Sequence, residues 1–256
     1  DPVPPNTPFN GFARNKSGKL TEGDWGPTHL KESEMNDTQY ADLAIDALKQ
    51  KHDKPFFIAC GTFHPHMPWY VPQKYFDMYP LDKISMPPIK EDDLDDVPAA
   101  GQKLISSVYE TAKKHNEYRK AVQAYLATTT YADAQIGRVL EALDNSPYKD
   151  NTIVVFLSDH GMHIGGKKHW QKGTLWEEAT NSLLMMRVPD MTKAGEVCKR
   201  TVSLLDLYPT LAELAGFEKP QHLDGHSLVE LLKDSDASWK FPALTAYQSH
   251  MAVRTE

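Results

Sequence analysis

The sequence predicts an α/β fold, a mostly parallel sheet with helices on both faces. Three observations point there. Short apolar runs stand at residues 56–63 (FFIACGTF), 153–157 (IVVFL) and 182–188 (SLLMMRV), and read as strands buried on both faces. Between them lie stretches with helical spacing of apolar residues, the alternation expected of a parallel sheet. The central run then opens abruptly into Ser158-Asp159-His160-Gly161. That sets a carboxylate and an imidazole where ligands of open α/β sheets bind.

Residues 1–31 are rich in Pro, Gly, Asn and Thr without a period, and read as loop. Residues 38–50 carry Tyr40, Leu43, Ala44, Ala47 and Leu48 on one helical face, with Asp37 as the expected N-cap. Residues 56–63 form the next expected strand, with Cys60 as a small core residue. That strand delivers His64-Pro65-His66-Met67-Pro68-Trp69, in which prolines on both sides stiffen the loop around His66. Trp69 either walls a sugar ring or packs this loop.

Residues 70–98 hold several prolines and the acidic run Glu91-Asp92-Asp93 with Asp95-Asp96. The run reads as a solvated face, since it lacks the EF-hand pattern and its central glycine. Residues 116–143 form the longest helix, with Val122, Tyr125, Leu126, Ile136, Val139, Leu140 and Leu143 on one side. Gly137 within it implies close packing, because glycine costs about 1 kcal/mol against alanine in a helix. After the central strand come a helix over 174–180, the strand 182–188, and an amphipathic helix over 201–215 that Gly216 closes. Pro209 is expected to break or kink it. Residues 243–248 form a last strand ending near His250, which either faces a cleft or lies in solvent.

Composition narrows the classes. The chain has 256 residues, room for one large domain or two small ones, with 40% hydrophobic and 25% charged residues. A net charge of −7 argues against sequence-independent binding of nucleic acid. No apolar run approaches the roughly 20 residues of a membrane helix. Two cysteines, Cys60 and Cys198, give neither a disulfide framework nor a metal spacing, and a bridge between them stays open. The first residues, Asp1-Pro2, carry no targeting signal.

The stretch 152–172 (TIVVFLSDHGMHIGGKKHWQK) carries the chemistry. Asp159 and His160 offer an oxygen and a nitrogen to a cation, and Lys167, Lys168, His169 and Lys172 follow with positive charge. Gly161, Gly165 and Gly166 let the backbone turn closely around a bound group. This combination suits an anionic ester. The alternative is a plain turn in which Asp159 caps backbone amides.

The pattern Ser158-Asp159-His160-Gly161, Gly165, Trp170, Lys172 and Leu175-Trp176-Glu177-Glu178-Ala179 resembles the metal-binding segment of the sulfatase family, within the alkaline-phosphatase-like superfamily. The phrase YADAQIGRVLEAL and the segment Asp224-Gly225-His226-Ser227-Leu228 are similar to further landmarks of that family. Pro65-His66-Met67-Pro68 resembles the loop of iduronate-type members.

The resemblance implies an alkaline-phosphatase-like sheet, incomplete at both ends here. It implies Ca2+ on Asp159 and His160, with Zn2+, Mn2+ or Mg2+ as the alternatives. Catalytic roles fall to Lys172 on the sulfate oxygens and His66 on the ester or leaving group, and substrate contacts to Trp69 and His250. The partner is a sulfated carbohydrate, and the compartment periplasmic, secreted or lysosomal.

The resemblance covers nearly all of this chain, yet only the middle to late part of such an enzyme. The family's nucleophile is a formylglycine made in Cys/Ser-x-Pro-x-Arg, and neither Cys60, Cys198 nor Ser85 begins that signature. The paired aspartates of the family's first strand and its Lys-x-x-His are also unrecognisable. The chain is therefore expected to need an N-terminal half and to be inactive alone. Within it, 1–36 reads as a loop-rich entry, 37–234 as the core portion, and 240–256 as the start of a C-terminal sub-domain. Two other readings remain. One is a metal-dependent phosphodiesterase or phosphatase of the same superfamily, in which His163 and His169 would join a zinc site. The other is a non-catalytic binder of sulfated glycans.

Overall fold

The computed structural model describes residues 4, 5, 7, 9, 10, 23–218 and 220–256. The expected loop over 1–31 therefore lies mostly outside the described residues. Among them the strands are β1 (Trp25–Thr28), β2 (Trp69–Pro72), β3 (Val154–Leu157), β4 (His163–Ile164), β5 (Trp170–Gln171), β6 (Leu184–Arg187), β7 (Ala243–Tyr247) and β8 (His250–Arg254). The α-helices are α1 (Asn36–Lys49), α2 (Gln73–Asp77), α3 (Ala99–Gln102), α4 (Val108–Lys114), α5 (Tyr118–Asp144), α6 (Glu177–Thr180), α7 (Leu207–Leu214) and α8 (Val229–Lys233). The chain forms two compact units. The first holds Asp1–Asp96, Ser106–Lys149 and Ile164–Trp170; the second holds Val97–Ile105, Asp150–His163 and Gln171–Glu256.

In the first unit α5 packs on α1. The buried face of α5 is rich in alanine: Ala121, Ala124, Ala127 and Ala132 recur at helical spacing with Tyr131 and Gln135. Small side chains bring the partner close, and Tyr131 fills the space with a polar end. Its Oη meets Thr38 Oγ1 at 3.0 Å, and burial raises its pKa to about 12. β1 and β2 pair in parallel with Trp25 opposite Trp69. The rings of Trp25, Trp69 and Trp170 cluster at centroid distances of 5.8 to 6.3 Å. Such pairs contribute about 0.5–1.5 kcal/mol each beyond the area they bury.

In the second unit β3 pairs antiparallel with β6, from Val154 opposite Arg187 to Leu157 opposite Leu184. β7 and β8 form an antiparallel hairpin with Tyr247 opposite His250. α7 is entered through a capping box, in which Asp206 accepts from the Ser203 amide. The other oxygen of Asp206 accepts from the His226 amide at 2.8 Å, which binds the 224–228 segment to the start of α7.

Several expectations are corrected. Residues 56–63 form no ladder among the described residues; Phe57 is 83% exposed, and Cys60 is an exposed free thiol, as is Cys198. β3 is half-buried, with one partner strand. Asp37 is not the cap of α1: Met35 holds that place, and the Asp37 carboxylate turns to the 63–64 backbone instead. A Cβ on Gly137 would meet nothing within 4 Å, so no close packing holds that glycine. Pro209 does not break α7, because it lies in the first turn, where its missing N–H has no partner to lose. Gly216, at φ 74°, closes α7 as expected, with the Phe217 amide donating to the Ala212 carbonyl.

Candidate active site

The loop after β3 belongs to the second unit, and its path is tightly set. The Ser158 amide donates to the Leu183 carbonyl at 2.9 Å and the Gly161 amide to the Ala179 carbonyl at 2.8 Å. A Cβ on Gly161 would stand 2.1 Å from the Glu178 carbonyl oxygen, so only glycine fits against α6 here. Ser158 Oγ donates to the His160 carbonyl. The loop is thus held at both ends while Asp159 and His160 between them point outward.

The Asp159 side chain is 82% exposed, and among the described residues it accepts from no backbone amide. The plain-turn alternative is thereby disfavoured. His160 Nδ1 lies 2.8 Å from the Gly161 carbonyl, and a ring nitrogen against a carbonyl must carry the proton. In the neutral ring Nε2 is then a bare acceptor, 3.6 Å from Asp159 Oδ1. Two lone-pair donors at that spacing fit neighbouring positions on one divalent cation, with bonds of about 2.0–2.6 Å. Carboxylate oxygen with imidazole nitrogen suits several divalent ions. No group of three or more His, Cys, Asp or Glu side chains gathers for a metal among the described residues. Asp159 and His160 are thus two groups that could contribute to holding such a cation.

His163 does not join it. The side chain is fully buried, its Nε2 lies 2.8 Å from Thr174 Oγ1, and its ring meets Trp176 edge-on at 5.9 Å. Lys172 follows β5 and is half-buried, in a tight turn where the Thr174 amide donates to the Lys172 carbonyl. His250 opens β8.

His66 and Trp69 belong to the first unit. The peptide bonds His64–Pro65 and Met67–Pro68 are both cis. His66 is half-buried, with Nδ1 2.6 Å from the Met67 carbonyl. Trp69 is fully buried, and its Nε1 donates to the Pro65 carbonyl at 2.7 Å. Of its two expected roles the packing one is realised: Trp69 lies under the loop and has no open face for a sugar ring. Beneath the loop Asp37 acts as anchor, accepting from the Phe63 amide, the His64 amide and His64 Nδ1 at 2.7–3.0 Å. Burial opposes ionisation of Asp37, but these hydrogen bonds outweigh it and hold the carboxyl below the usual range.

The 164–170 loop also belongs to the first unit. Gly165, Lys167 and Lys168 all have positive φ, at 109°, 54° and 50°. Asp93 from the acidic run holds Lys167 there, accepting from its amide at 3.0 Å and from Nζ at 2.8 Å. The Lys167 ammonium keeps the Asp93 carboxyl below its usual range. His169 Nδ1 accepts from the Ser106 amide at 2.9 Å. Among the sequence-selected site residues, Asp159, His160, Lys172 and His250 share the second unit, and His66 and Trp69 the first. Sequence reasoning missed Asp37 and Asp93 as anchors. Asp37 reads as a helix cap, and its partner His64 lies 27 residues away.

The fold is of the alkaline-phosphatase-like class. The sulfatase family profile matches residues 3–217. A sulfatase of Formosa agariphila is 38% identical over 97% of this chain and 50% of its own length. Iduronate 2-sulfatase of Mus musculus is 32% identical over 75% of this chain and 42% of its own. Among solved structures, the phosphonate monoester hydrolase of Silicibacter pomeroyi superimposes with a TM-score of 0.76, at 23% identity, over 93% of this chain and 50% of that one. This chain belongs to the sulfatase family. It spans about half the length of the curated relatives it matches.

Proposed function

We propose that this chain supplies the divalent-metal and sulfate-contacting part of a sulfuric ester hydrolase acting on a sulfated carbohydrate. The observation that carries the reading is the Asp159 carboxylate set 3.6 Å from His160 Nε2, in a loop in which only glycine fits at position 161. A cation on that pair, Ca2+ in this reading, would act as a Lewis acid on the ester oxygens. Lys172 would add a point charge on the same oxygens. The family resemblance assigns His66, its Nδ1 turned to the Met67 carbonyl, to the ester or the leaving oxygen. The nucleophile would be a formylglycine outside these 256 residues, and the compartment periplasmic, secreted or lysosomal. No described helix is long and apolar enough to cross a membrane. The burial of His163 against Thr174 and Trp176 weighs against the zinc phosphodiesterase reading, which needs that imidazole at the metal.

The test compares sulfate release from a sulfated disaccharide with phosphate release from the matching phosphate ester, both with Ca2+ present. The chain is assayed alone and together with a segment carrying Cys-x-Pro-x-Arg. The reading expects sulfate release from the combination only, lost on Lys172→Ala. Faster phosphate than sulfate release would replace it with the phosphoesterase reading.

A further inference from the structure

The second unit holds a cavity of about 340 Å3 lined by Ala100, Lys103, Leu104, Gly173, Tyr247, Gln248 and His250. Its chemistry is one-sided. Lys103 brings an ammonium, Gln248 an amide, His250 an imidazole and Tyr247 a hydroxyl, and no carboxylate lines it. The side chains of Lys103, Gln248 and His250 make no hydrogen bond or ion pair among the described residues. Its volume is at the lower end of small-ligand sites.

Two further observations concern the shape of this half-open depression. Gln248 sits in the two-residue turn between β7 and β8 at φ 53°. Left-handed backbone costs a residue with a Cβ roughly 1–2 kcal/mol, and glycine or asparagine ordinarily takes such a turn position. Here a long amide side chain stands instead, on the wall of the cavity. Opposite it, a Cβ on Gly173 would stand 2.7 Å from Tyr247 Oη. The absence of a side chain at 173 therefore lets the hairpin approach. Gly173 directly follows Lys172, so the pocket begins next to the residue proposed to hold the ester.

We infer that this cavity is a second anion pocket, which takes a carboxylate or a further sulfate carried by the same sulfated glycan. Lys103 supplies the charge, while Gln248 and His250 supply directional hydrogen bonds to the oxygens. The inference rests on the sulfated-carbohydrate reading above. It makes the cavity the determinant that separates multiply anionic glycans from singly sulfated ones.

Three probes test it by calorimetric titration of the chain with Ca2+ present. They are a monosulfated neutral disaccharide, a monosulfated disaccharide containing a uronate, and a disulfated neutral disaccharide. The chain should bind the second or the third at least ~10-fold more tightly than the first, and which of the two it prefers tells carboxylate from sulfate. Lys103→Ala should remove that preference and leave affinity for the first probe unchanged. Gln248→Gly should weaken the preference several-fold while raising Tm, because it relieves the left-handed backbone; this separates lost binding from lost folding. Lys172→Ala should weaken all three probes. If Lys172→Ala acts but the pocket variants change nothing, the pocket inference falls and the sulfated-carbohydrate reading stands. If no sulfated probe binds, both fall.

Discussion

Asp159 Oδ1 lies 3.6 Å from His160 Nε2, and the contact is set by backbone rather than by the two side chains alone. The Gly161 carbonyl accepts a hydrogen bond from His160 Nδ1, and the Gly161 amide donates to the Ala179 carbonyl in α6. His160 Nε2 and the Asp159 carboxylate thereby lie on the same side of the loop, as the proposed cation would require. Preorganisation of this kind reduces the ordering cost of binding.

The first prediction follows from that pair. Asp159→Asn and His160→Ala should each weaken Ca2+ binding by about 10–100-fold, the loss of about 1.4–2.8 kcal/mol. His163→Ala should leave Ca2+ affinity within about threefold, because its Nε2 is engaged by Thr174, though it should lower Tm through the buried space it empties. Calorimetric titration on the folded variants measures both. Equal affinity in wild type and Asp159→Asn would remove Asp159 from the metal.

Three glycines give a second prediction with opposite signs. Gly161→Ala sets a methyl 2.1 Å from the Glu178 carbonyl oxygen, and Gly225→Ala sets one 2.0 Å from the Leu205 carbonyl oxygen. Backbone cannot yield as a flexible side chain can, so each should destabilise by about 1–3 kcal/mol or more. Gly137→Ala meets open space inside α5 and should stabilise by up to about 1 kcal/mol. Urea midpoints of the three variants decide it, and a stabilising Gly161→Ala would mean the 158–161 loop is not held as described.

The acidic run supplies a third prediction. Asp93 binds both the amide and the ammonium of Lys167, which holds a left-handed φ of 54° without being glycine. Asp93→Ala should lower stability by about 1–3 kcal/mol, the usual contribution of charged hydrogen bonds. Combining it with Lys167→Gly should recover part of the loss, since glycine needs no clamp to adopt that backbone. Additive losses in the double-mutant cycle would dissolve the proposed link between clamp and backbone.

Where one local signal sufficed, the sequence was legible. The 3.6-residue spacing located α1, α5 and α7, and the abrupt end of an apolar run located Asp159 and His160 behind β3. Where the deciding partner was remote or the local signal was contrary, it was not. Pro27 and Pro72 argue against strands, yet β1 and β2 pair, because two short strands can use proline where no ladder donor is required. Residues 56–63 show the reverse. Their composition suits a buried strand, but burial needs neighbours, and Phe57 at 83% exposure has none covering it. Asp37 looked like a cap because Asp before an apolar helix usually is one. Only the fold shows the 63–64 amides competing for its oxygens, and three donors, one of them the His64 ring, outweigh a single capping amide.

The loop anchored by Asp37 makes stability depend on pH in a definite direction. Hydrogen bonds from His64 and from the Phe63 and His64 amides, working against burial, hold the Asp37 carboxyl below its unfolded value of about 4. A carboxylate depressed in the folded state binds its proton less readily there than in the unfolded chain. Its stabilisation is therefore full above the unfolded pKa and is lost as pH falls through the lower folded value. Asp37→Asn removes the charged acceptor of three hydrogen bonds and should cost about 1–3 kcal/mol near neutral pH. The deficit should shrink as pH falls below about 4, where the unfolded wild-type chain takes up a proton that the folded carboxyl resists. Urea unfolding between pH 3 and pH 7 reads both limbs, with the fluorescence of the buried Trp69 as probe. A wild-type acid slope retained in Asp37→Asn would assign the acid sensitivity to other carboxylates, with Asp93 the next candidate because Lys167 depresses it in the same sense.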